Sequence, residues 1–278
     1  MGVYGFCYVA DCDAYIDEAM RSIASVRAHM PSVPVALVTK PDLFRAGTAV
    51  TDWVELRQTR KGPIVKTDAR LAPYERVVFL DTDTLIIGDL TPLFALLDRF
   101  DFACAPEPNA RPDYGFGNDV PAPFLEPNSC VFLFRRTPSV LGFFDAWLAE
   151  YDALHAEHGV TNDQPALRTA LWKGDSLRHL TLGSEYNLII HASCSVSGAV
   201  RILHDRSPDR AAMAALVNRY VEPRAIVAGF GPIVGFITRR GWIRQYLRLS
   251  WRFLRVLLRP RLVRQEGHPV IWWRDGVD

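Results

Sequence analysis

Apolar and polar positions alternate along this chain in blocks of two different periods. Residues 3–10 (Val-Tyr-Gly-Phe-Cys-Tyr-Val-Ala) form an almost uninterrupted apolar run and read as a first strand. Ile16, Ala19, Met20, Ile23 and Val26 then recur at helical spacing, with Asp13 as the expected N-cap and the helix running to about Met30. Pro31 and Pro34 end it, and Val35 to Val38 reads as a second strand. A weaker strand is expected over Val50 to Leu56 and a short helix over Ile64 to Leu71. Val77-Val78-Phe79-Leu80, four apolar residues in a row, read as a buried parallel strand. Helix (Leu90 to Leu97) and strand (Phe102 to Ala105) follow. Residues 106–128, rich in Pro, Gly and Asn, read as a long loop of the kind that is usually functional. A strand over Cys130 to Phe134, helices over Val140 to His155 and Gln164 to Lys173, and a last strand from Val200 to Leu203 that ends on His204 complete the series. Strand–helix alternation of this kind predicts an α/β, Rossmann-like domain.

Composition adjusts that picture in two ways. The chain has 278 residues, 49% of them hydrophobic, enough for one large core with an appendage. Its net charge of +1 is unevenly spread: residues 206–278 hold 14 Arg, no Lys and 5 acids, a net of +9, which leaves −8 on residues 1–205. The expected division is therefore an acidic α/β body over 1–205 and a basic helical extension over 206–278. In that extension Arg240, Arg244, Arg248, Arg252, Arg255 and Arg259 fall on one helical stripe, opposite Trp242, Ile243, Tyr246, Leu249, Phe253, Val256 and Leu257. This pattern suits an amphipathic helix lying on an anionic membrane surface through residues 239–264, or a helix packed on the body or on a partner. With no 18-residue uncharged apolar segment, a full membrane span is not expected. An acidic body without a readout module argues against nucleic acid. The five cysteines (Cys7, Cys12, Cys104, Cys130 and Cys194) include no C-x-x-C pair, which argues against a zinc site and fits a reducing compartment. Cys7, Cys104 and Cys130 read as packing residues. The location these features favour is cytoplasmic, peripheral at the inner face of the membrane.

The candidate chemistry starts at Asp81-Thr82-Asp83, directly after the Val77–Leu80 strand. Ligands of open α/β sheets bind at the carboxyl ends of strands. Two hard oxygen donors there suit Mg²⁺ or Mn²⁺, and such an ion commonly also holds phosphates. His204, at another strand end, offers imidazole nitrogen, which suits Mn²⁺ better than Mg²⁺.

Further motifs stand in a telling order: Ala10-Asp11-Cys12-Asp13-Ala14-Tyr15, Lys66 with Asp68 and Arg70, Asp81-Thr82-Asp83, Pro127-Asn128-Ser129, Asn162-Asp163-Gln164-Pro165, Glu185-Tyr186-Asn187 and Ile202-Leu203-His204. Over residues 3–205 this order resembles the nucleotide-sugar transferases of the GT-A fold, above all glycosyltransferase family 8. The resemblance implies a metal-dependent transfer of a sugar from a nucleotide diphosphate, UDP foremost, to an acceptor hydroxyl on a glycan or lipid-linked glycan. It implies Asp81, Asp83 and His204 as ligands of Mn²⁺ (or Mg²⁺), Tyr15 stacked on the base, and Ala10, Asp11, Lys66, Asp81, Thr82 and Asn128 around the donor. It places Asp163 and Gln164 beside the anomeric carbon, with Asp163 as the base if the reaction inverts. Two departures stand out. Ser129-Cys130 replaces the usual small pair with Gly, and Asp205-Arg206-Ser207-Pro208 replaces a Lys-Pro-Trp run, so Arg206 or Arg210 would have to grip the diphosphate.

Local alternatives remain for several of these residues. Tyr15 also suits an ordinary surface position, Lys66 and Arg70 a solvated helical pair, Asn128 a turn, and Asp163 the start of a helix. Leu80 to Thr84 equally fits the first motif of a haloacid-dehalogenase-type phosphatase with Asp81 as nucleophile, although that motif belongs on a first strand. A sugar-1-phosphate nucleotidyltransferase lacks support because no Gly-rich turn follows the first strand. A catalytically inactive, membrane-associated binding protein is the non-enzyme alternative.

Overall fold

The structure, a computed structural model, describes residues 2–108, 120–175, 177–190, 192–206, 210–219, 221, 223–227, 235–238, 250, 251 and 254. In chain order these form β1 (Gly2–Val9), α1 (Asp13–His29), β2 (Val35–Thr39), β3 (Asp52–Glu55), a 3-10 helix over Pro63–Leu71, β4 (Tyr74–Leu80), β5 (Thr84–Ile86), α2 (Pro92–Leu96), β6 (Phe102–Pro106) and β7 (Pro127–Arg135). There follow α3 (Pro138–His158), α4 (Gln164–Lys173), β8 (His179–Thr181), β9 (Leu188–Ile189), β10 (Cys194–Val196), β11 (Ile202–His204), α5 (Arg210–Val217), β12 (Arg224–Val227) and β13 (Gly235–Thr238).

Seven strands make the central sheet in the order β3-β2-β1-β4-β7-β6-β8. β1 pairs in parallel with both β2 and β4, so the chain leaves β1 toward one edge and returns on the other side of it. That reversal opens a crevice at the carboxyl ends of β1 and β4, where open α/β sheets bind ligands. β7 runs against its neighbours β4 and β6. The apolar run of β4 is thus buried as expected, but its pairing is parallel on one side only.

Alternation along each strand divides the core between the two faces of the sheet. Phe6, Tyr8, Leu37, Val78, Leu80 and Leu133 pack against α1 and α2. Cys7, Val9, Val38, Phe79, Phe132 and Phe134 pack against α3 and α4. α3 shows its signals in the sequence: Thr137 accepts from the Val140 amide, Pro138 opens the helix, and Gly159 closes it with φ 67°.

Three expectations change. Asp13 opens α1 rather than capping it; Cys12 is the cap, and the Asp13 carboxylate pairs with Arg45 at 2.9 Å. The helix over 63–71 is 3-10, its Asp68 buried and accepting the amides of Arg57 and Gln58 at 2.7 and 2.6 Å. Asn128 and Ser129 lie within β7, not in a turn before it.

A third core joins Leu188, Val196, Val200 and Leu203 to Met213, Val217 and Ile226, so packing runs across residue 205 without a break. The amphipathic stripe at 239–264 lies outside the described residues, apart from Ser250, Trp251 and Leu254. Residues 109–119 of the long loop lie outside them too. Among the described residues no helix is long and apolar enough to cross a membrane.

One hydrogen-bond relay ties the layers to the crevice. Thr84 Oγ1 donates to the Asp81 carbonyl at 2.8 Å, so its one proton is used. It must then accept from Ser22 Oγ at 2.7 Å, and Ser22 in turn accepts from Tyr8 O–H at 2.8 Å. α1, β1 and β5 are thereby locked to the turn that carries Asp81 and Asp83. Ser22→Ala leaves the buried Tyr8 hydroxyl without its acceptor and is expected to destabilise the fold by about 1–3 kcal/mol. Urea denaturation checks this; an unchanged midpoint would show that the relay does not bear on stability.

Candidate active site

A cavity of about 560 Å³ opens at the carboxyl ends of β1 and β4. Of the residues expected there, Asp11, Tyr15, Lys66, Asp81, Thr82, Asp83, Asp163, Gln164, His204 and Arg206 line it. Ala10 and Asn128 do not: both are buried behind its wall.

His204 reaches the site because β11 pairs antiparallel with β5, the strand that follows the D-x-D turn, with His204 opposite Thr84. Its Nε2 lies 3.2 Å from Asp83 Oδ1. Asp83 Oδ1 on one side of this contact, and His204 Nδ1 on the far side of the ring, are both buried without a hydrogen-bond partner. Arg206 Nη1 sits 3.3 Å from Asp83 Oδ2, and its Nε and Nη2 donate to Glu18 at 2.9 and 3.2 Å. The same guanidinium lies 5.7 Å from the centre of the half-exposed Tyr15 ring. Arg210 donates to the Asp83 carbonyl at 2.6 Å. Burial alone would raise the Asp83 carboxyl, but His204 and Arg206 outweigh it and hold the group at about 2.

On the opposite wall Lys66 is buried and faces the cavity, where the family resemblance expects it, and not in the alternative of a solvated pair with Arg70. Arg70 instead points outward to Asp145 at 2.5 Å. Lys66 Nζ lies 3.2 Å from Asp81 Oδ2, 3.2 Å from Ser129 Oγ and 3.9 Å from Asp163 Oδ2. Burial disfavours its charge, and Asp163 and Asp81 more than restore it, so the ammonium persists. Asp163 stands at the N-cap of α4 but makes no capping bond; the Gln164 amide is taken by Asn162 Oδ1 at 3.0 Å. The Asp163 carboxyl is therefore free to face Lys66. Burial raises its affinity for a proton, with Lys66 and Ser129 opposing.

Behind Gln164 lies a polar network. Asn128 Nδ2 donates to Glu107 Oε2 at 2.7 Å, Gln164 Nε2 approaches the same oxygen at 3.5 Å, and Asn187 Nδ2 donates to Asn128 Oδ1 at 2.8 Å. Asn128 thus supports the wall through Glu107 and Cys130, whose amide it accepts at 2.9 Å.

Sequence reasoning missed Glu18, Glu107 and the cavity-lining role of Cys130. Glu18 had a readable signal: it follows Tyr15 by three residues and so shares its helical face. Glu107 stands alone between two prolines, with no periodicity to place it.

The donor set fits a divalent cation. Asp83 Oδ1 is buried without a donor, and a carboxylate oxygen of Asp81, Cys130 Sγ and a ring nitrogen of His204 lie within 4.8 Å of one another. Oxygen and imidazole ligands converging beside an open cavity suit such an ion.

No protein-family profile and no curated protein sequence matches this sequence. Solved structures do match. The glycosyltransferase GlyE of Streptococcus pneumoniae TIGR4 aligns over 80% of this chain at 19% identity and a TM-score of 0.51. The galactosyltransferase LgtC, solved with donor and acceptor sugar analogs, aligns over 77% at 16% identity and a TM-score of 0.51. The bifunctional glycosyltransferase WbbM aligns over 74% at 15% identity and a TM-score of 0.50. The match spans 93% of LgtC but only 58% of GlyE and 46% of WbbM. At these identities the likeness defines the fold, which is the GT-A fold of nucleotide-sugar transferases. The phosphatase alternative is not favoured: its motif belongs on a first strand, whereas Asp81 follows β1, β2 and β3 and ends a central strand.

The far side of the polar network holds a titratable group with a measurable consequence. Glu126 is buried with no hydrogen-bond donor to either oxygen, 3.5 Å from the buried Arg168. Burial pushes its carboxyl up to about 7, with Arg168 opposing. The folded state therefore binds the extra proton between the unfolded value of about 4.3 and 7. Stability should fall as pH rises through that window, by an amount on the order of 1–3 kcal/mol, and level off above it. Glu126→Gln should flatten this part of the pH–stability curve; denaturant midpoints with the wild-type slope retained in the variant would contradict the assignment.

Proposed function

We propose that this protein transfers a sugar from a nucleoside diphosphate donor, UDP-sugar foremost, to an acceptor hydroxyl on a glycan or a lipid-linked glycan, with Mn²⁺ or Mg²⁺ as cofactor. The observation that carries this reading is the convergence of Asp81, Asp83 and His204 at the rim of a cavity walled by two cations, at the switch point of a GT-A fold. Asp81, Asp83 and His204 would hold the metal. The chemistry it would supply is neutralisation of negative charge on the departing diphosphate.

The remaining steps belong to the chain's own side chains. Tyr15 offers a half-exposed ring to stack on the base, and Asp11 lines the same cavity, whereas Ala10 supports the wall from behind. Thr82, whose hydroxyl donates to Glu18 at 2.9 Å, keeps the D-x-D turn and α1 in register. Arg206 is the cation that meets the diphosphate, taking the role that a Lys plays in the resembling family. Lys66 stands between Asp81 and Asp163 on one wall and fixes the position of both carboxyl groups. Asp163 and Gln164 sit where the sugar would lie and orient it, Gln164 being steadied through Glu107 and Asn128. Fixing donor and acceptor in this way supplies much of the rate by itself. Residues 239–264 would bring the enzyme to an anionic membrane at the cytoplasmic face, where a lipid-linked acceptor is found.

Release of the nucleoside diphosphate from a panel of nucleotide sugars, with and without Mn²⁺, tests the proposal. One UDP-sugar should be hydrolysed slowly in a metal-dependent manner, and Asp83→Asn should lower that rate on the order of a hundredfold or more. Release of inorganic phosphate from phosphomonoesters, with no nucleotide sugar turned over, would overturn it in favour of Asp81 as a nucleophile.

A further inference from the structure

Cys130 does not behave as a packing residue. β4 and β7 run antiparallel with Leu80 opposite Val131, and the Asp81 amide donates to the Cys130 carbonyl at 2.8 Å. This register sets Cys130 directly beside the first residue of the D-x-D turn. Its side chain is half-buried and lines the cavity. Its Sγ lies within 4.8 Å of ligand atoms on both Asp81 and His204. Asp83 Oδ1, more than nine-tenths buried and 3.2 Å from His204, accepts no hydrogen bond at the edge of this group.

The chemistry of sulfur makes that placement consequential. Mg²⁺ takes oxygen donors, and Mn²⁺ gains little from thiolate, whereas Zn²⁺ and Co²⁺ bind thiolate, imidazole and carboxylate together. A thiolate, an imidazole and a carboxylate with one open side is the donor count of a zinc centre that keeps a position for an incoming ligand.

We propose that Cys130 Sγ joins Asp81 and His204 as a metal ligand and turns the cation preference of the site from Mg²⁺ and Mn²⁺ toward the thiophilic ions Zn²⁺ and Co²⁺. As the metal–sulfur bond forms, the thiol proton leaves to solvent. The inference rests on the reading that Asp81, Asp83 and His204 hold a cation, and it adds which cation they prefer and why. It also reverses the conclusion drawn from cysteine spacing, because the ligands come from three separate segments (the turn after β4, the interior of β7 and the end of β11) and not from a C-x-x-C pair.

The test uses the full chain stripped of metal. Co²⁺ should give a sulfur-to-metal charge-transfer band in the near ultraviolet, and Cys130→Ser should abolish it. Zn²⁺ affinity, measured by competition with a chelator, should fall on the order of tenfold or more in Cys130→Ser. Mn²⁺ affinity should change by less than about threefold, since manganese draws little from sulfur. Cys130→Ala, with thermal melts confirming the fold of both variants, should reproduce the result. Co²⁺ bound without the band, or Zn²⁺ held equally tightly by both variants, overturns the inference. His204→Ala separates the two levels. If it loses Co²⁺ while the wild type shows no sulfur band, only the Cys130 assignment falls. If it retains wild-type Co²⁺ binding, the metal-site reading falls as well.

Discussion

Three carboxylates crowd one crevice, and the cations that hold them there organise the site. Asp81, Asp83 and Asp163 meet at the ends of β4 and the start of α4, all of them largely withdrawn from water. Ionised groups so close in a poorly solvated place cost several kcal/mol each unless opposite charge is supplied. The protein supplies it from two sides. Lys66 stands between Asp81 and Asp163, and Arg206 flanks Asp83. The compensation is incomplete where Asp83 Oδ1 and His204 Nδ1 remain unpartnered. An incoming cation would complete it, and an anionic diphosphate would follow the cation.

Much of the fold serves to bring these charges together from distant parts of the chain. Parallel pairing of β1 with β2 and β4 creates the crevice. The short β5–β11 ladder carries His204 back to the D-x-D turn. The 3-10 helix over Pro63–Leu71 presents Lys66, and the two-faced core packs the sheet against α1 on one side and α3 and α4 on the other. The Tyr8–Ser22–Thr84 relay then fixes the turn itself.

The long elements were legible in the sequence for a plain reason. α1, α3, α4 and β4 each carry many apolar residues at one period, and that signal accumulates with length. The D-x-D turn and His204 were legible because each stands at the end of such a run. β5, β8, β9 and β10 were not, since two or three residues are too few to show alternation, and only tertiary pairing makes them strands. The direction of β7 was hidden because a buried strand has the same composition in either sense. Local spacing left Lys66 open between a donor contact and a solvated pair, because burial of a lysine depends on partners, here Asp81 and Asp163, that lie elsewhere in the chain. Cys130 looked like core because a half-buried thiol at a strand start reads the same as a packed one. Asn128 was expected at the donor sugar; it lies instead behind the cavity wall through its Glu107 contact, which no spacing rule reveals.

The central claim is that one divalent cation is gripped jointly by an aspartate of the D-x-D turn and by the imidazole of His204. Pulsed electron paramagnetic resonance of Mn²⁺ bound to the full chain with UDP tests it most directly. The account predicts nitrogen modulation from a directly coordinated histidine in the wild type and its disappearance in a folded His204→Ala variant. Manganese bound with no nitrogen coupling, or with coupling that survives removal of His204, would contradict it.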